Sequence, residues 1–378
     1  MPISEVLLEG DRGGPGTSVR WWSANTRAPS RASPVGDQTR AAFAVARAKA
    51  GEGLAYAGDW NGARQLLAAM GRRLGRVRAR GGSLAELFLA EREGKRRERE
   101  ILSRLAVPVG PRWESPLKRA PSLEAALSEA LGDPPPGPVF VPMREILGAI
   151  GAHEWRRRGV PVPALGAKIH PFYGVFAPVR GEYVSLLARV SIERRARFPE
   201  EFSAFDIGTG TGVLAVLLAR QGARVVGTDI DPRAVACARE NATRLGVGER
   251  VQIVQADLFP QGRARLAVAN PPWIPTEPHG PLDRAVYDPG GVLLARIVQG
   301  FPEHLEEQGE AWLVLSNLGE ILGLRPTGTV PALAEAAGLR IHSTYEEAPT
   351  HPRARSGNDP LALARRAETT RLYVLRPR

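Results

Sequence analysis

The chain has 378 residues, 43% of them hydrophobic, with a net charge of +11 and a pI near 10.5. That length accommodates a full α/β core and a second domain. The single cysteine, Cys237, excludes an internal disulfide framework and a cysteine-rich metal site; no run of about 18 apolar residues marks a membrane helix, and no secretory pattern opens the chain, so a cytoplasmic protein with no bound metal is expected.

Residues 1–40 are rich in Gly, Pro, Ser and Arg without periodicity and are expected to be a largely disordered tail. Within them Trp21 and Trp22 are expected to dock on the folded body or to stack on a base. Residues 41–165 are expected to form a basic helical domain and connector. Leu66, Leu67, Met70, Leu74 and Val77 fall on one helical face. Arg72, Arg73, Arg76, Arg78 and Arg80 make a purely basic run suited to RNA or DNA contact. Lys95, Arg96, Arg97 and Arg99 alternate with Glu91, Glu93, Glu98 and Glu100, the pattern of a solvated helix face. Residues 1–165 hold 26 of the 51 basic side chains but only 17 of the 40 acidic ones. A basic appendage of this kind suits a phosphate-rich partner; GC-rich codon usage would inflate arginine equally well. Residues 133–138, Asp-Pro-Pro-Pro-Gly-Pro, read as a boundary, and 139–165 as a short helical connector.

From about residue 166 to the end, short apolar runs alternate with helical stretches. Phe202–Ile207, Arg224–Thr228, Val251–Val254, Leu266–Ala269, Ala311–Leu315 and Thr370–Leu375 read as strands. Thr211–Arg220, Pro232–Leu245, Gly291–Leu305 and Val330–Ala337 read as helices. Such alternation predicts an α/β, Rossmann-like, mostly parallel sheet with helices on both faces.

The segment Asp206-Ile-Gly208-Thr-Gly210-Thr211-Gly212 follows the first of these strands and opens a helix. Its glycines let the backbone pass close to a ligand. A glycine loop alone also fits a nicotinamide cofactor, but Asp206 is out of place beside a pyrophosphate and suits a ligand with an ammonium group. Asp229 ends the next strand, where a carboxylate can accept ribose hydroxyls, with Ile230 beside it. Asp231 is the helix cap of Pro232. Asp257 follows the third strand, placed to accept from an adenine amino group, with Leu258 and Phe259 near the ring.

Residues 202–270 resemble the cofactor half of class I S-adenosyl-L-methionine (SAM)-dependent methyltransferases. The resemblance implies a seven-stranded sheet with the last strand antiparallel. It implies a loop from Asp206 to Gly212 around the methionine part, Asp229 on the ribose and Asp257 on the adenine. His170–Glu182 resembles the lead-in to these domains, with Phe176, Pro178, Arg180 and Glu182 as candidates for lining the methionine end.

Asn270-Pro271-Pro272-Trp273 follows the fourth strand. The lone pair of a conjugated NH2 group is delocalised and a poor nucleophile. Two acceptors, the Asn270 side-chain oxygen and the Pro271 carbonyl, would draw density back onto nitrogen, and two prolines stiffen the turn that presents them. Trp273 is expected to lie flat on a planar substrate. His279 and Tyr287 are loop residues able to assist. The motif resembles that of amino-methyltransferases acting on adenine, guanine or the glutamine side-chain amide, whose last residue is often Tyr or Phe. Asn-Pro-Pro-Trp-Ile-Pro resembles the catalytic segment of release-factor glutamine methyltransferases, and 282–291 loosely resembles their substrate loop. The basic N-terminal part has no counterpart in that resemblance and makes a nucleic-acid base, in RNA or DNA, the first expectation for the substrate. A protein glutamine amide is the second. A small-molecule N-methyltransferase and a non-catalytic SAM-binding subunit remain as further classes, and the oligomeric state is open.

Overall fold

The computed structural model describes residues 3–9, 16–75, 81–179, 181–349 and 361–378. The chain divides into two units, Met1–Ala79 with Leu89–Glu154, and Arg80–Phe88 with Trp155–Arg378.

The first unit carries β1 (Ser4–Leu8), β2 (Thr17–Trp21), β3 (Arg31–Val35), α1 (Ala41–Lys49), β4 (Gly53–Tyr56) and α2 (Trp60–Leu74). It continues with most of α3 (Leu84–Leu102), then β5 (Leu105–Val109), α4 (Glu124–Leu131), β6 (Val139–Pro142) and most of α5 (Met143–Arg158). Its six strands close into a barrel in the order β1-β2-β6-β5-β4-β3. Val6, Trp21, Ala32, Ala55 and Ala106 form a buried cluster, the alanines leaving room for one indole. Trp21 stacks on Phe140 at 6.4 Å, and a Cβ on Gly53 would lie 2.9 Å from its ring. Trp22 packs edge-on against Trp113 at 5.7 Å. Both tryptophans therefore dock on the folded body.

Two expectations are corrected here. Described residues before 40 are not a disordered tail: they supply half of the barrel strands. Nor is 41–165 a helical domain, since β4, β5 and β6 alternate with its helices, and Val139–Pro142 is a strand. The barrel strands are four or five residues long, too short to show a period, and their backbone groups are satisfied by partners far away in sequence. Residues 133–138 lie inside this unit, between α4 and β6; the division falls after Glu154. On α2, Leu66 and Met70 are buried as the stripe requires, while Arg72 and Arg73 are exposed. Val77, Arg76, Arg78 and Arg80 lie outside the described residues. On α3 the mixed run is ion-paired along the helix: Glu93 with Arg96 and Arg97, Glu100 with Arg96, and Glu91 with Lys95.

The second unit begins with the hairpin β7 (Val160–Val162) and β8 (Ala167–Ile169). It continues with α6 (Glu182–Glu193), β9 (Phe202–Ile207), α7 (Val213–Arg220), β10 (Ala223–Asp229), α8 (Pro232–Arg244), β11 (Val251–Gln255) and β12 (Ala264–Ala269). Then come α9 (Val292–His304), β13 (Leu305–Ser316), α10 (Leu318–Ile321), α11 (Thr329–Ala336), β14 (Leu339–Glu347), α12 (Ala362–Ala367) and β15 (Thr370–Pro377). Seven strands form one sheet in the order β11-β10-β9-β12-β13-β15-β14, parallel except that β15 runs against both neighbours. This is the Rossmann-like sheet expected. Its central strands are mostly apolar because both faces are covered. One face packs on α6 and α7 residues such as Leu186, Val190, Val216 and Leu217. The other packs on α9 and α11 residues such as Ile297, Phe301 and Val330. Among the described residues, no helix is long and apolar enough to cross a membrane.

Candidate active site

The strand register gathers the expected site residues at one edge of the sheet. Ala269 of β12 pairs with Ile207 of β9, so Asn270 and Gly208 leave the sheet side by side. Thr228 of β10 pairs with the same Ile207, and Asp229 pairs with Gln255 of β11. β9 is the point from which the sheet extends in both directions. In open α/β sheets a ligand lies outside the carboxyl ends of the strands at such a point.

The glycine loop is built for close approach. Gly208, Gly210 and Gly212 have φ of +71°, +55° and +80°, the left-handed region that side chains disfavour. A Cβ at Gly208 or Gly210 would meet no protein atom within 4 Å, which leaves that side of the loop to a ligand. At Gly212 it would lie 3.1 Å from Ala238 of α8, so this glycine serves helix packing instead. Thr211 is buried and its carbonyl accepts from Asn241 Nδ2 at 3.0 Å.

The three acids take different roles. Asp206 is buried, and its Oδ2 accepts from Thr209 Oγ1 at 2.6 Å and from the Ala215 amide at 3.0 Å. It thus ties both ends of the loop. Burial raises its pKa to about 6, with the nearby Asp229 charge adding to the effect and the two hydrogen bonds opposing it. Asp229 is partly buried; its Oδ2 accepts from the Gly210 amide at 3.0 Å and its Oδ1 from the Asp231 amide at 2.9 Å. Asp231 caps α8 through the Arg233 amide, as read from sequence. Asp257 is exposed and paired with Arg296 of α9 at 2.8 Å. Ile230 is exposed beside Asp229. Leu258 holds a φ of +74°, and its carbonyl accepts from Thr228 Oγ1. A leucine kept in that region marks a segment whose path is dictated by its surroundings. Phe259 is committed to packing on α9, stacked on His304 at 4.2 Å and edge-on to Phe301.

The Asn-Pro-Pro-Trp turn has one feature that its spacing does not show, the setting of Trp273. Trp273 is part-buried against both core clusters, and its indole N–H donates to Asn270 Oδ1 at 2.8 Å. That bond settles which end of the Asn270 carboxamide is oxygen and leaves the second lone pair of Oδ1 to accept. Residues 281–291 are brought alongside the turn, since the amides of Trp273 and Ile274 both donate to the Val286 carbonyl. Asp288 accepts from the Leu293 and Leu294 amides at 2.9 Å and so starts α9. Tyr287 pairs with Ile274 through its backbone, and the His279 amide donates to Asp283.

Two positioning residues escaped the sequence reading. Arg325 is buried; its Nη1 donates to the Trp273 carbonyl at 2.9 Å and its Nη2 to the Ser316 carbonyl at 2.6 Å. It joins the turn to the end of β13. Asn241 of α8 is fully buried and holds Thr211 of the glycine loop and His170 of the lead-in segment, whose amide donates to its Oδ1 at 2.9 Å. A polar residue on the apolar face made by Ala234, Val235, Ala238 and Ala242 was the available signal. In the lead-in segment Phe176 is exposed and Glu182, buried, opens α6; Arg180 lies outside the described residues.

Comparison with known proteins agrees with this geometry. The family model for ribosomal protein L11 methyltransferase (PrmA) matches residues 189–271, less than half of the chain. The chain is 48% identical over 148 residues to the ribosomal protein L11 methyltransferase of Pelotomaculum thermopropionicum, covering 38% of this chain and 40% of that one. It is 36% identical over 161 residues to the release factor glutamine methyltransferase of Cereibacter sphaeroides, covering 38% and 55%. It is 29% identical over 182 residues to a putative protein N5-glutamine methyltransferase of Methanocaldococcus jannaschii, covering 45% and 87%. The chain thus spans about half the length of the first two relatives. Together the topology, the glycine loop and these matches make the carboxy-terminal unit a Rossmann-like domain of the class I SAM-dependent methyltransferase type, resembling the L11 and release-factor glutamine enzymes.

Proposed function

We propose that this protein is a SAM-dependent N-methyltransferase acting on the side-chain amide of a protein glutamine. The observation that carries the reading is the Asn270-Pro271-Pro272-Trp273 turn, oriented by its own indole and set beside the glycine loop. The residues fit the cofactor: Gly208 and Gly210 offer a cradle that a Cβ would strain, with Asp229 at its rim. SAM held there would supply an electrophilic sulfonium-linked methyl group to the amide nitrogen. The protein's share is placement and electrostatics. Asn270 Oδ1 and the Pro271 carbonyl accept the two amide hydrogens, which pulls electron density onto nitrogen. Trp273 keeps Asn270 from rotating, and Arg325 keeps Trp273 in place. The product loses its extra proton to solvent without a dedicated base.

The nucleic-acid base that charge alone favoured moves to second place. The relatives named above are protein methyltransferases, two of them glutamine enzymes. The observation that keeps it is the exposed Arg72–Arg73 pair at the end of α2. The test is transfer of radiolabelled methyl into fractionated lysate, wild type beside Asn270→Ala, each sample split between nuclease and protease. Label lost to protease and recovered as methylglutamine supports the proposal. Label lost to nuclease, falling steeply with salt and with Arg72→Glu/Arg73→Glu, establishes the second reading. Asn270→Ala is expected to abolish transfer with SAM affinity retained, whereas Asp229→Ala weakens SAM binding about tenfold or more, the loss of a charge-assisted pair of hydrogen bonds.

A further inference from the structure

At the opposite edge of the same sheet, the start of β13 and β14 and the end of β15 border an open surface hollow of about 360 Å³. Arg197, Arg340, Arg376 and Arg378 line it, with Gln308, Gly309 and Pro377 between them. From Gly309 to Ser316 at the other end of β13 is about 23 Å at strand rise, so the hollow is separate from the methyl-transfer site.

Its charge is not balanced from within. Arg340 and Arg376 are register partners on adjacent antiparallel strands, an arrangement of like charges that costs stability. The nearest buried acid, Glu310, is already fully engaged. It accepts from Arg376 Nε at 3.0 Å, from Arg194 Nε at 3.0 Å and from the Trp312 indole at 3.0 Å. Those bonds outweigh its burial and hold its pKa down at about 2. Glu335 pairs with Arg378 at 2.9 Å. Arg197 and Arg340 have no acidic partner among the described residues. His342, in the same strand as Arg340, is shifted down by burial and then by the charges of Arg376 and Arg194, which reports the positive field locally.

Guanidinium groups that converge on a concave surface match the tetrahedral oxygens of a phosphate through paired N–H donors. The volume is at the lower end of small-ligand sites, about 300–1,000 Å³. We propose that this hollow is an anion site for a small phosphate-bearing ligand of at least two negative charges, held by Arg197 and Arg340 with Arg376 and Arg378 at its walls. The site goes beyond the proposed methyl transfer and does not depend on it.

The test is calorimetric titration of the whole protein with inorganic pyrophosphate, and separately with ADP, at low salt. Three proteins are compared: wild type, Arg197→Ser/Arg340→Ser, and a control Arg27→Ser/Arg263→Ser that removes the same charge elsewhere. Neither pocket arginine bonds another side chain among the described residues, so the pocket variant is expected to keep the fold, checked by its melting curve. Pyrophosphate affinity is expected to fall about tenfold or more in the pocket variant, one charged hydrogen-bonding partner or more, and to change little in the control. Equal losses in the two variants, or no binding of either ligand to wild type, overturns the proposal. Tighter binding of ADP identifies the phosphate as that of a nucleotide; equal or tighter binding of pyrophosphate identifies it as free.

Discussion

Single side chains in this site do two things each, and their separation is testable. Trp273 is expected to present its face to a substrate, and its indole N–H also orients Asn270. Trp273→Phe keeps an aromatic ring at the position, at some loss of packing, and deletes one hydrogen bond of about 1 kcal/mol. Turnover is expected to drop several-fold with SAM affinity unchanged, read by transfer assay and by titration; an unchanged rate would show that Asn270 orients itself. Asp206 gives a pH signature. Its pKa is raised from 3.8 to about 6 by burial, so between those values the folded protein holds a proton that the unfolded chain has released. Stability from this group therefore falls as pH rises through that window and is level above it, by about 3 kcal/mol in all. Asp206→Asn removes the effect, so the variant should gain on wild type between pH 4 and pH 6.5 in urea titrations. A constant difference at both pH values would show that the carboxyl titrates normally.

At the scale of elements, the site depends on where helices touch loops. Gly212 combines a φ of +80° with 3.1 Å clearance to Ala238. Gly212→Ala is expected to cost about 1–3 kcal/mol through strain and displacement of α8. The melting temperature should fall accordingly, and SAM affinity with it, because Asn241 of α8 also holds Thr211. A variant as stable as wild type would show that the loop and α8 move freely. Elements also differ in how openly the chain displays them. The central strands were legible because both faces are buried and the runs are mostly apolar. β14 was missed, because in this edge strand only Ile341 and Tyr345 stand out from the polar run between Arg340 and Glu347. The barrel strands were missed for a different reason: each is short, and only pairing with distant strands satisfies its backbone.

Across the whole molecule, the lone cysteine offers a probe of the second unit. Cys237 is fully buried, and burial pushes its thiol up to about 12. The native protein at pH 8 is expected to give no reaction with a thiol reagent and one equivalent after unfolding. Prompt native reaction would show that α8 opens, and that the loop it supports opens with it.

The order of strand, glycine loop, acid and Asn-Pro-Pro-aromatic turn is a local matter. Each motif needs particular residue types at fixed spacing next to a strand end, so the chain alone pointed to the cofactor half, most of its sheet and the chemistry to look for. The tertiary structure decided what spacing does not encode. It recruited Arg325 and Asn241 as supports and closed six short strands of the first unit into a barrel. It also brought Arg197, Arg340 and the Arg376–Arg378 end of β15 together from three places in the chain. Each of these is a meeting of residues far apart in sequence, which packing and strand pairing select and no local period records.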